Sequence, residues 1–262
     1  MIGWSAMMMA LALQGPAEAP AEAPVWRLQT QLGGSWAGGN AQSVALGSNH
    51  QIGVRRGRHA AELLGQLNLV RVGFSAVEGG PVVAKRTTTW MWWTRLRHDW
   101  RFFGRNGVFA AFAADGNFRS GIRWRVDPMA GYARTLVERG RHALLGDVGY
   151  AYTREHYVDG VRPAGAAFHN VHVGLRYDLK IDERVSFLQW AELFWAVDSP
   201  QRVRVQSLSS LGLRLSPRVS VRLNLKLKTN SRPPLRPIAD APPTRYAPID
   251  ALSEFALAID LK

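Results

Sequence analysis

The sequence predicts an all-β protein, an antiparallel up-and-down transmembrane β-barrel of about twelve strands. After residue 24, about twelve stretches alternate apolar and polar residues with a period of two, the period of a strand that has one apolar face. Every long connector falls after an odd-numbered stretch, so the long loops and the tight turns sort to opposite ends. Outer-membrane barrels sort their connectors in this way, and a soluble β-sandwich has no reason to do so.

The clearest element covers residues 219–228, where every odd residue is aliphatic and every even residue is polar. Similar alternation recurs in residues 171–180 and 202–215, and helical spacing explains none of these runs. The predicted strands cover residues 25–37, 41–55, 58–73, 85–97, 100–115, 120–137, 141–155, 166–180, 184–196, 202–215, 219–229 and 252–262.

The connectors between these strands set the topology. Those after even-numbered strands are predicted to be tight turns, at Arg56–Gly57, His98–Asp99, Glu138–Gly140, Ile181–Glu183 and Ser216–Arg218. Those after odd-numbered strands include all the long ones, at residues 74–84, 156–165 and 230–251. An even strand count then places both termini at the end with the short turns.

Composition bounds the domain organisation. No linker divides the strand pattern of the 262 residues, so residues 25–262 are predicted to form one barrel. The chain has no cysteine, which excludes disulfides and cysteine-based zinc sites. No apolar run approaches the roughly 20 residues of a membrane-spanning helix. Residues 1–24 are predicted to be a signal peptide and a short Ala/Pro/Glu segment, because the apolar block 4–13 precedes small-residue cleavage sites.

The net charge of +13 allows a nucleic-acid partner or an anionic membrane. Nucleic-acid binders cluster basic residues on a patch or a helix, whereas many basic residues here alternate with aliphatic ones along strands. We therefore predict no nucleic-acid partner, and a basic lumen that forms a candidate path for small anions. The predicted lumen residues are Arg123, Arg125, Arg176, Arg202, Arg204, Arg214, Arg222, Lys226 and Lys228. Alternatively, these residues pair with Glu62, Asp127, Asp147, Glu192, Glu254 and Asp260 in a plugged interior.

The opposite face of the strands is predicted to contact lipid. Its clearest members are aliphatic or aromatic residues of the last two predicted strands: Val221, Leu223, Leu225, Leu227, Phe255, Leu257 and Ile259. Ten tryptophans also favour a membrane interface. Trp90, Trp92, Trp93 and Trp100 are expected to gather with Phe102 and Phe103 around one tight turn, and Trp190, Phe194 and Trp195 at the opposite girdle. The residues predicted to form the aromatic girdle are Trp90, Trp92, Trp100 and Trp195, with a soluble aromatic core as the alternative.

The sequence offers no catalytic or metal-binding pattern. His169 and His172 are three residues apart, which places them on opposite faces of a strand, so no shared metal is predicted. Serines such as Ser207, Ser209 and Ser210 could serve an envelope lipase or protease with His142 or His50 as base, but their spacing does not favour this. We predict no enzyme activity and no cofactor.

Several turn motifs carry a family resemblance. They are the Gly-Gly-Asn turn at residues 38–40, the Glu-Arg-Gly-Arg turn at 138–141, the run Tyr-Asp-Leu-Lys-Ile-Asp-Glu-Arg-Val-Ser-Phe at 177–187, and Asn-Ser-Arg-Pro-Pro at 230–234. In these motifs the chain resembles the salt-induced outer-membrane proteins, a Gram-negative family of unknown function. The resemblance implies an outer-membrane barrel that contacts lipid and lipopolysaccharide and is inserted by the barrel assembly machinery. Such barrels usually end in an aromatic residue, whereas this chain ends in Leu261 and Lys262.

The sequence therefore favours a non-enzymatic outer-membrane barrel that is structural or forms a narrow anion-favouring pore. A soluble or peripheral basic β-protein that binds polyanions is the alternative, and an envelope enzyme acting on lipid is a third hypothesis. Solubility without detergent would favour the alternative, because the barrel leaves an apolar band exposed.

Overall fold

The computed structural model of the chain describes residues 23–37, 41–74, 87–161, 166–238, 241–245 and 248–261. The predicted signal peptide and most of the predicted loop 74–84 lie outside these residues. The barrel strands are β1 (Val25–Ala37), β2 (Ala41–Arg56), β3 (His59–Phe74), β4 (Thr87–Phe103), β5 (Asn106–Asn117), β6 (Ile122–Arg139), β7 (His142–Tyr157), β8 (Ala167–Lys180), β9 (Val185–Ala196), β10 (Val203–Arg214), β11 (Val219–Asn230) and β14 (Ile249–Leu261). The short strands β12 (Leu235–Ile238) and β13 (Ala241–Arg245) pair only with each other, inside the last connector.

The twelve barrel strands form one closed antiparallel sheet in which each strand pairs with its neighbours in sequence. Closure comes from β1 and β14, which pair from Leu28 with Leu261 to Gly34 with Phe255. The predicted fold class and strand number are therefore confirmed. Closure satisfies the backbone hydrogen bonds of both terminal strands, which is the condition for a sheet to span lipid.

The connectors sort by length as predicted. The turns after β2, β4, β6, β8 and β10 are two to four residues long, and both ends of the described chain lie on their side of the barrel. Three of these turns use a glycine with positive φ, at Gly57, Gly104 and Gly140. Glycine enters this region without steric cost, so it marks where two strands can reverse tightly.

One predicted turn is wrong. His98 and Asp99 do not end a strand: β4 continues through them to Phe103, and the chain reverses at Gly104 and Arg105. The physical reason is that neither His98 nor Asp99 adopts the positive φ that Gly104 supplies at 49°. The correction lengthens β4 to 17 residues and moves the predicted start of β5 from residue 100 to Asn106.

Side chains alternate between the lumen and the outer surface along every barrel strand. In β8, for example, Phe168, Asn170 and His172 are buried, whereas His169 and Val171 between them are exposed. The buried members of all strands include many polar and charged residues, and the exposed members include many large apolar ones. The barrel therefore has a polar interior and an apolar exterior, the reverse of a soluble protein.

Candidate functional site: the barrel lumen

Two contacts between β4 and β9 cross the lumen. The rings of Trp93 and Trp190 meet with their centroids 6.2 Å apart. Two residues further along each strand, Arg95 Nη1 lies 2.7 Å from Glu192 Oε1, and both side chains are about 95% buried. These residues belong to strands separated by four others around the barrel. They therefore form a wall, which we call the β4–β9 partition.

On one side of the β4–β9 partition, the lumen facing β5–β8 is filled with side chains. Phe109, Met129, Ala151 and Phe194 belong to one buried apolar cluster. His172 is fully buried and packs against Phe109 and Phe194, at centroid distances of 5.9 and 4.9 Å. This half of the barrel resembles a packed core rather than a channel.

Buried charges surround His172. Its Nδ1 lies 3.4 Å from Asp147 Oδ1 and its Nε2 lies 3.3 Å from Glu192 Oε1. Asp147 also accepts a hydrogen bond of 2.8 Å from Arg97 Nη1, while the other edge of Arg97 binds Asp99 through both carboxylate oxygens. The carboxylates of β4, β7 and β9 are thus each held by an arginine of β4, which compensates their burial.

A second set of ion pairs lies nearer the long loops. Arg125 Nε donates to Glu155 at 2.8 Å, Arg202 Nη1 lies 3.4 Å from the same carboxylate, and Arg204 Nη2 lies 2.8 Å from Asp127. Arg202 and Arg204 also lie over aromatic rings, at 3.9 Å from Phe168 and 4.1 Å from Phe194. These three arginines, which the sequence placed on an anion path, are paired with carboxylates, and Arg125 and Arg204 also line the smaller cavity described below.

A cavity of about 230 Å³ occupies the rest of the lumen, mainly beside β1–β4, β10 and β11, and residues of β5–β8 such as Ala133, Asp147 and Arg176 also line it. Nine basic and four acidic side chains line it, an excess of positive charge. Its basic lining includes Arg176, Arg222, Lys226 and Lys228 of the predicted set. The cavity extends from Arg58 and Arg105 at the short turns to Lys228 near the long loops.

The basic residues of the cavity differ in their partners. Arg176 Nε donates to Asp178 at 3.0 Å, and Lys226 Nζ lies 2.8 Å from Glu254. Lys228 Nζ is 3.8 Å from Asp115, across the lumen. Among the described residues Arg222 has no hydrogen-bond or ion-pair partner, and its Nε is buried. Arg222 is therefore the basic group of the predicted set with most of its hydrogen-bonding capacity left for a solute.

A second cavity of about 30 Å³ continues toward the long loops. Gln206 and Lys228 line both cavities, so these two side chains mark the neck between them. The segment after β11 closes over the smaller cavity, where Pro233 and Pro234 are buried. At the start of β14, Asp250 accepts hydrogen bonds from Asn117 and Ser120 on the opposite wall. These bonds hold the end of this segment in place.

Two predicted lumen residues lie elsewhere. Arg123 sits at an irregularity in the β6–β7 pairing, where its side chain is 44% exposed and lies 3.1 Å from Asp159 in the loop after β7. The irregularity changes the alternation at the start of β6, so Arg123 reaches the rim instead of the cavity. Arg214 occupies the last position of β10 beside a short turn and is not part of the cavity lining.

The outer surface carries the residues predicted to face lipid. Leu223, Leu225, Leu227, Phe255, Leu257 and Ile259 are 36–61% exposed, and Val221 on the same face is partly exposed. They lie on the paired strands β11 and β14, whose even-numbered residues Asn224 and Glu254 are buried in the lumen. The alternation seen in the sequence thus becomes two faces of one sheet.

The residues predicted to form the aromatic girdle lie at both ends of the barrel, but they are distributed differently from the prediction. Trp90, Trp92 and Trp195 lie on the outer surface toward the long loops, whereas Trp100, Phe102 and Phe103 lie at the short-turn end. At about 3.3 Å per residue, Trp90 and Trp100 on β4 are about 33 Å apart, close to the thickness of a hydrocarbon core. The prediction that they gather around one turn is wrong, because β4 has no turn at His98.

Three further aromatic assignments are wrong. Trp93 and Trp190 point into the lumen, and Phe194 is 2% exposed in the packed half. Their alternation with Trp92 and Trp195 was the signal that could have placed them inside. Sequence reasoning also missed that histidines accompany the outer aromatic residues: His59 stacks with Trp100, His142 with Tyr177 and His156 with Trp124.

Outside the barrel wall, Asp182 stabilises the turn between β8 and β9. Its carboxylate accepts backbone hydrogen bonds from Arg184 at 2.6 Å and Val185 at 2.7 Å. These bonds stabilise the ionised form and lower the pKa of Asp182 below its ordinary value of 3.8.

The lowered pKa makes the contribution of Asp182 depend on pH. A folded-state pKa below the unfolded value gives stability that is present above the unfolded pKa and lost as pH falls through the folded pKa. We expect Asp182→Asn to lower the urea midpoint of the detergent-folded chain at about pH 7, and the difference from wild type to shrink below about pH 3.8. Glu183→Gln is the control, since Glu183 makes neither bond. An equal difference at both pH values would contradict this role.

The described residues hold no group of three or more histidine, aspartate or glutamate side chains that could bind a metal ion. In the same part of the chain, no helix has the length and apolar character needed to cross a membrane.

The closed sheet, apolar exterior and polar lumen define a porin-like transmembrane β-barrel. Residues 30–237 match the family described as protein of unknown function, DUF481, and the chain belongs to this family. The comparison with curated protein sequences yields no match.

The chain is similar to several solved structures. The NanC porin is 10% identical with a TM-score of 0.46, and the match covers 89% of this chain and 97% of that chain. An outer membrane channel from Pseudomonas putida F1 is 13% identical with a TM-score of 0.47, covering 94% and 98%. An anion-selective porin from Comamonas acidovorans is 8% identical with a TM-score of 0.35, covering 91% and 98%.

Proposed function

We propose that this protein is a non-enzymatic, integral outer-membrane barrel of a Gram-negative bacterium and that its lumen forms a narrow, anion-favouring passage. The observation that carries the proposal is the positively charged cavity that meets a second cavity at Gln206 and Lys228. Fixed positive charge along a narrow path lowers the barrier for anions and raises it for cations.

The outer surface supports the proposed location. Leu223, Phe255 and Leu257 belong to a continuous apolar face that water would not stabilise, which counts against a soluble polyanion-binding protein. The resemblance to the salt-induced outer-membrane proteins supports the same location. Outer-membrane lipid, lipopolysaccharide and the barrel assembly machinery are the partners that this proposal implies.

The basic residues of β11 form a row of positive charges along the proposed passage. Arg222, Lys226 and Lys228 face the cavity from one strand, in steps of two or four residues, so their charges follow one another at about 7 to 13 Å. An anion that leaves Arg222 meets the next cation before it is fully rehydrated. The pair Lys228–Asp115 stands at the neck, so the last step passes a positive charge that is partly compensated.

A conductance experiment tests the proposal. We expect the detergent-refolded mature chain to show anion-selective steps in a planar bilayer under a salt gradient, after its heat-modifiable gel migration has been confirmed. Arg222→Gln and Lys228→Gln should each move the reversal potential toward that of a non-selective pore. Arg154→Gln, on the exposed face of β7, is the matched control and should leave the potential unchanged. Cation selectivity would overturn the proposal.

A structural role is the second candidate function. The ion pairs that cross the lumen and the buried prolines at the long-loop end favour it, since both obstruct a continuous path. A barrel that is folded and inserted but silent at all voltages would establish this role instead.

A further inference from the structure

The β4–β9 partition presents groups to the cavity that the barrel itself does not use. Trp93 and Trp190 line the cavity, and their rings are tilted by 58° so that they do not stack fully on each other. Tryptophan is costly to place in a wet lumen as filler, because its N–H needs a partner and its ring gains little from water. Flat apolar rings that line a cavity rich in charged side chains are instead suited to the apolar face of a solute.

Arg95 adds an unused charged edge beside these rings. Its Nη1 is taken by Glu192, but Nε and Nη2 are buried and have no hydrogen-bond partner among the described residues. The Nε–Nη2 edge is the one that binds a carboxylate through two parallel hydrogen bonds, as the same edge of Arg97 does with Asp99. Arg95 Cζ lies 5.8 Å from the centre of the Trp190 ring.

Two neutral amides flank the same place. Gln66 is the register partner of Trp93, and Gln206 lies on β10 two residues before Leu208, the register partner of Trp190. Both line the cavity, and neither side chain has a hydrogen-bond partner among the described residues. Each amide offers two donors and one acceptor oxygen, the mixture that hydroxyl groups pair with.

We propose that Trp93, Trp190, Arg95, Gln66 and Gln206 form a binding site for a sugar acid of the hexuronate class, a single pyranose ring bearing one carboxylate. The carboxylate binds the Nε–Nη2 edge of Arg95, the hydroxyls pair with the two amides, and the ring lies against the indoles. The Nε–Nη2 edge of Arg95 is buried, so the proposed site requires that side chains of the β4–β9 partition shift to expose it when the solute binds.

Other solutes use fewer of these groups. A neutral sugar leaves the Arg95 edge unpaired, an aromatic acid leaves both amides unpaired, and a simple anion leaves the rings uncovered. A buried polar group left without a partner weakens binding, so the site discriminates against each of them. The inference deepens the proposed passage by naming its solute, and it rests on that function only in requiring that the lumen admits solute.

Calorimetric titration of the detergent-refolded full chain with glucuronate tests the site. Glucose shares the ring without the carboxylate, and acetate shares the carboxylate without the ring. We expect glucuronate to bind at least about tenfold more tightly than either, with a change in tryptophan fluorescence. The double variant Arg95→Gln/Glu192→Gln, which leaves no unpaired buried charge, should lose at least about tenfold of the glucuronate affinity, and Gln66→Ala should weaken it severalfold. Trp195→Phe, on the outer surface, is the control and should bind as wild type does.

Several outcomes would overturn the site: no glucuronate binding to a correctly folded chain, equal binding of glucose, or binding that the Arg95→Gln/Glu192→Gln variant retains. Failure of the passage is a separate result. If the barrel binds glucuronate but conducts no current, the binding site is supported and the pore is overturned. If the barrel is anion-selective but does not bind glucuronate, the pore is supported and the binding site is overturned.

Discussion

Replacing Glu192 with glutamine is expected to lower the free energy of unfolding by about 3 to 5 kcal/mol. The substitution keeps the volume of the side chain but removes the charge that Arg95 faces at 2.7 Å in a site where both side chains are about 95% buried. It also removes the carboxylate that His172 Nε2 faces at 3.3 Å. Arg95 would then remain buried without a countercharge, which costs more than the pair contributed.

The measurement is a urea titration of folding in lipid vesicles, followed by heat-modifiable gel migration. The matched control is the double variant Arg95→Gln/Glu192→Gln, which removes both charges and should recover most of the loss. Near-additive losses in the two single variants and the double variant would mean that the charges do not interact, and that the contact between β4 and β9 is not the source of stability.

A charge on the outer face should have the second large effect. Leu225 lies near the middle of β11 and is 40% exposed on the face opposite buried Asn224. We expect Leu225→Arg to destabilise the inserted barrel by about 2 to 4 kcal/mol, because a guanidinium at the bilayer midplane loses its hydration.

The matched control for Leu225→Arg is Leu215→Arg. Leu215 is 60% exposed in the short turn after β10, where a charge reaches the interface and should cost about 0 to 1 kcal/mol. Both variants add the same charge and differ in depth, so the comparison isolates the membrane. Equal refolding midpoints for the two variants would show that Leu225 does not face lipid.

The strand pattern could be predicted because a period of two is a local property. Residues 219–228 alternate without interruption, and their structure is one strand with one apolar face. The turn at His98 and Asp99 was misplaced because polarity, the cue used there, is weaker than the positive φ that Gly104 supplies. One shifted turn then misplaced Trp100 relative to Trp90, since all positions along β4 depend on where it ends.

The arrangement of the lumen could not be predicted from the pattern. Alternation indicates that Arg95, Arg204 and Arg222 face inward, but it does not indicate which of them meets a carboxylate. Arg95 pairs with Glu192 and Arg204 with Asp127, and these residues are far apart in sequence, the second pair by 77 residues, so their contacts depend on barrel closure and tilt. Arg222 finds no such partner among the described residues, and nothing local to β11 distinguishes it from Lys226.

The β4–β9 partition changes how the size of this barrel relates to its bore. Twelve strands usually set a circumference, and the circumference sets the room inside. Here side chains of β4 and β9 meet across the lumen, so solute meets mainly β1–β4, β10 and β11 together with this strut, while residues of β5–β8 such as Asp147 and Arg176 form a smaller part of the lining. Substitutions in the buried cluster around His172 can then alter how firmly the cylinder holds its shape with little effect on what passes, and substitutions on β11 can do the opposite. Rigidity and permeability are thus assigned largely to different parts of one sheet.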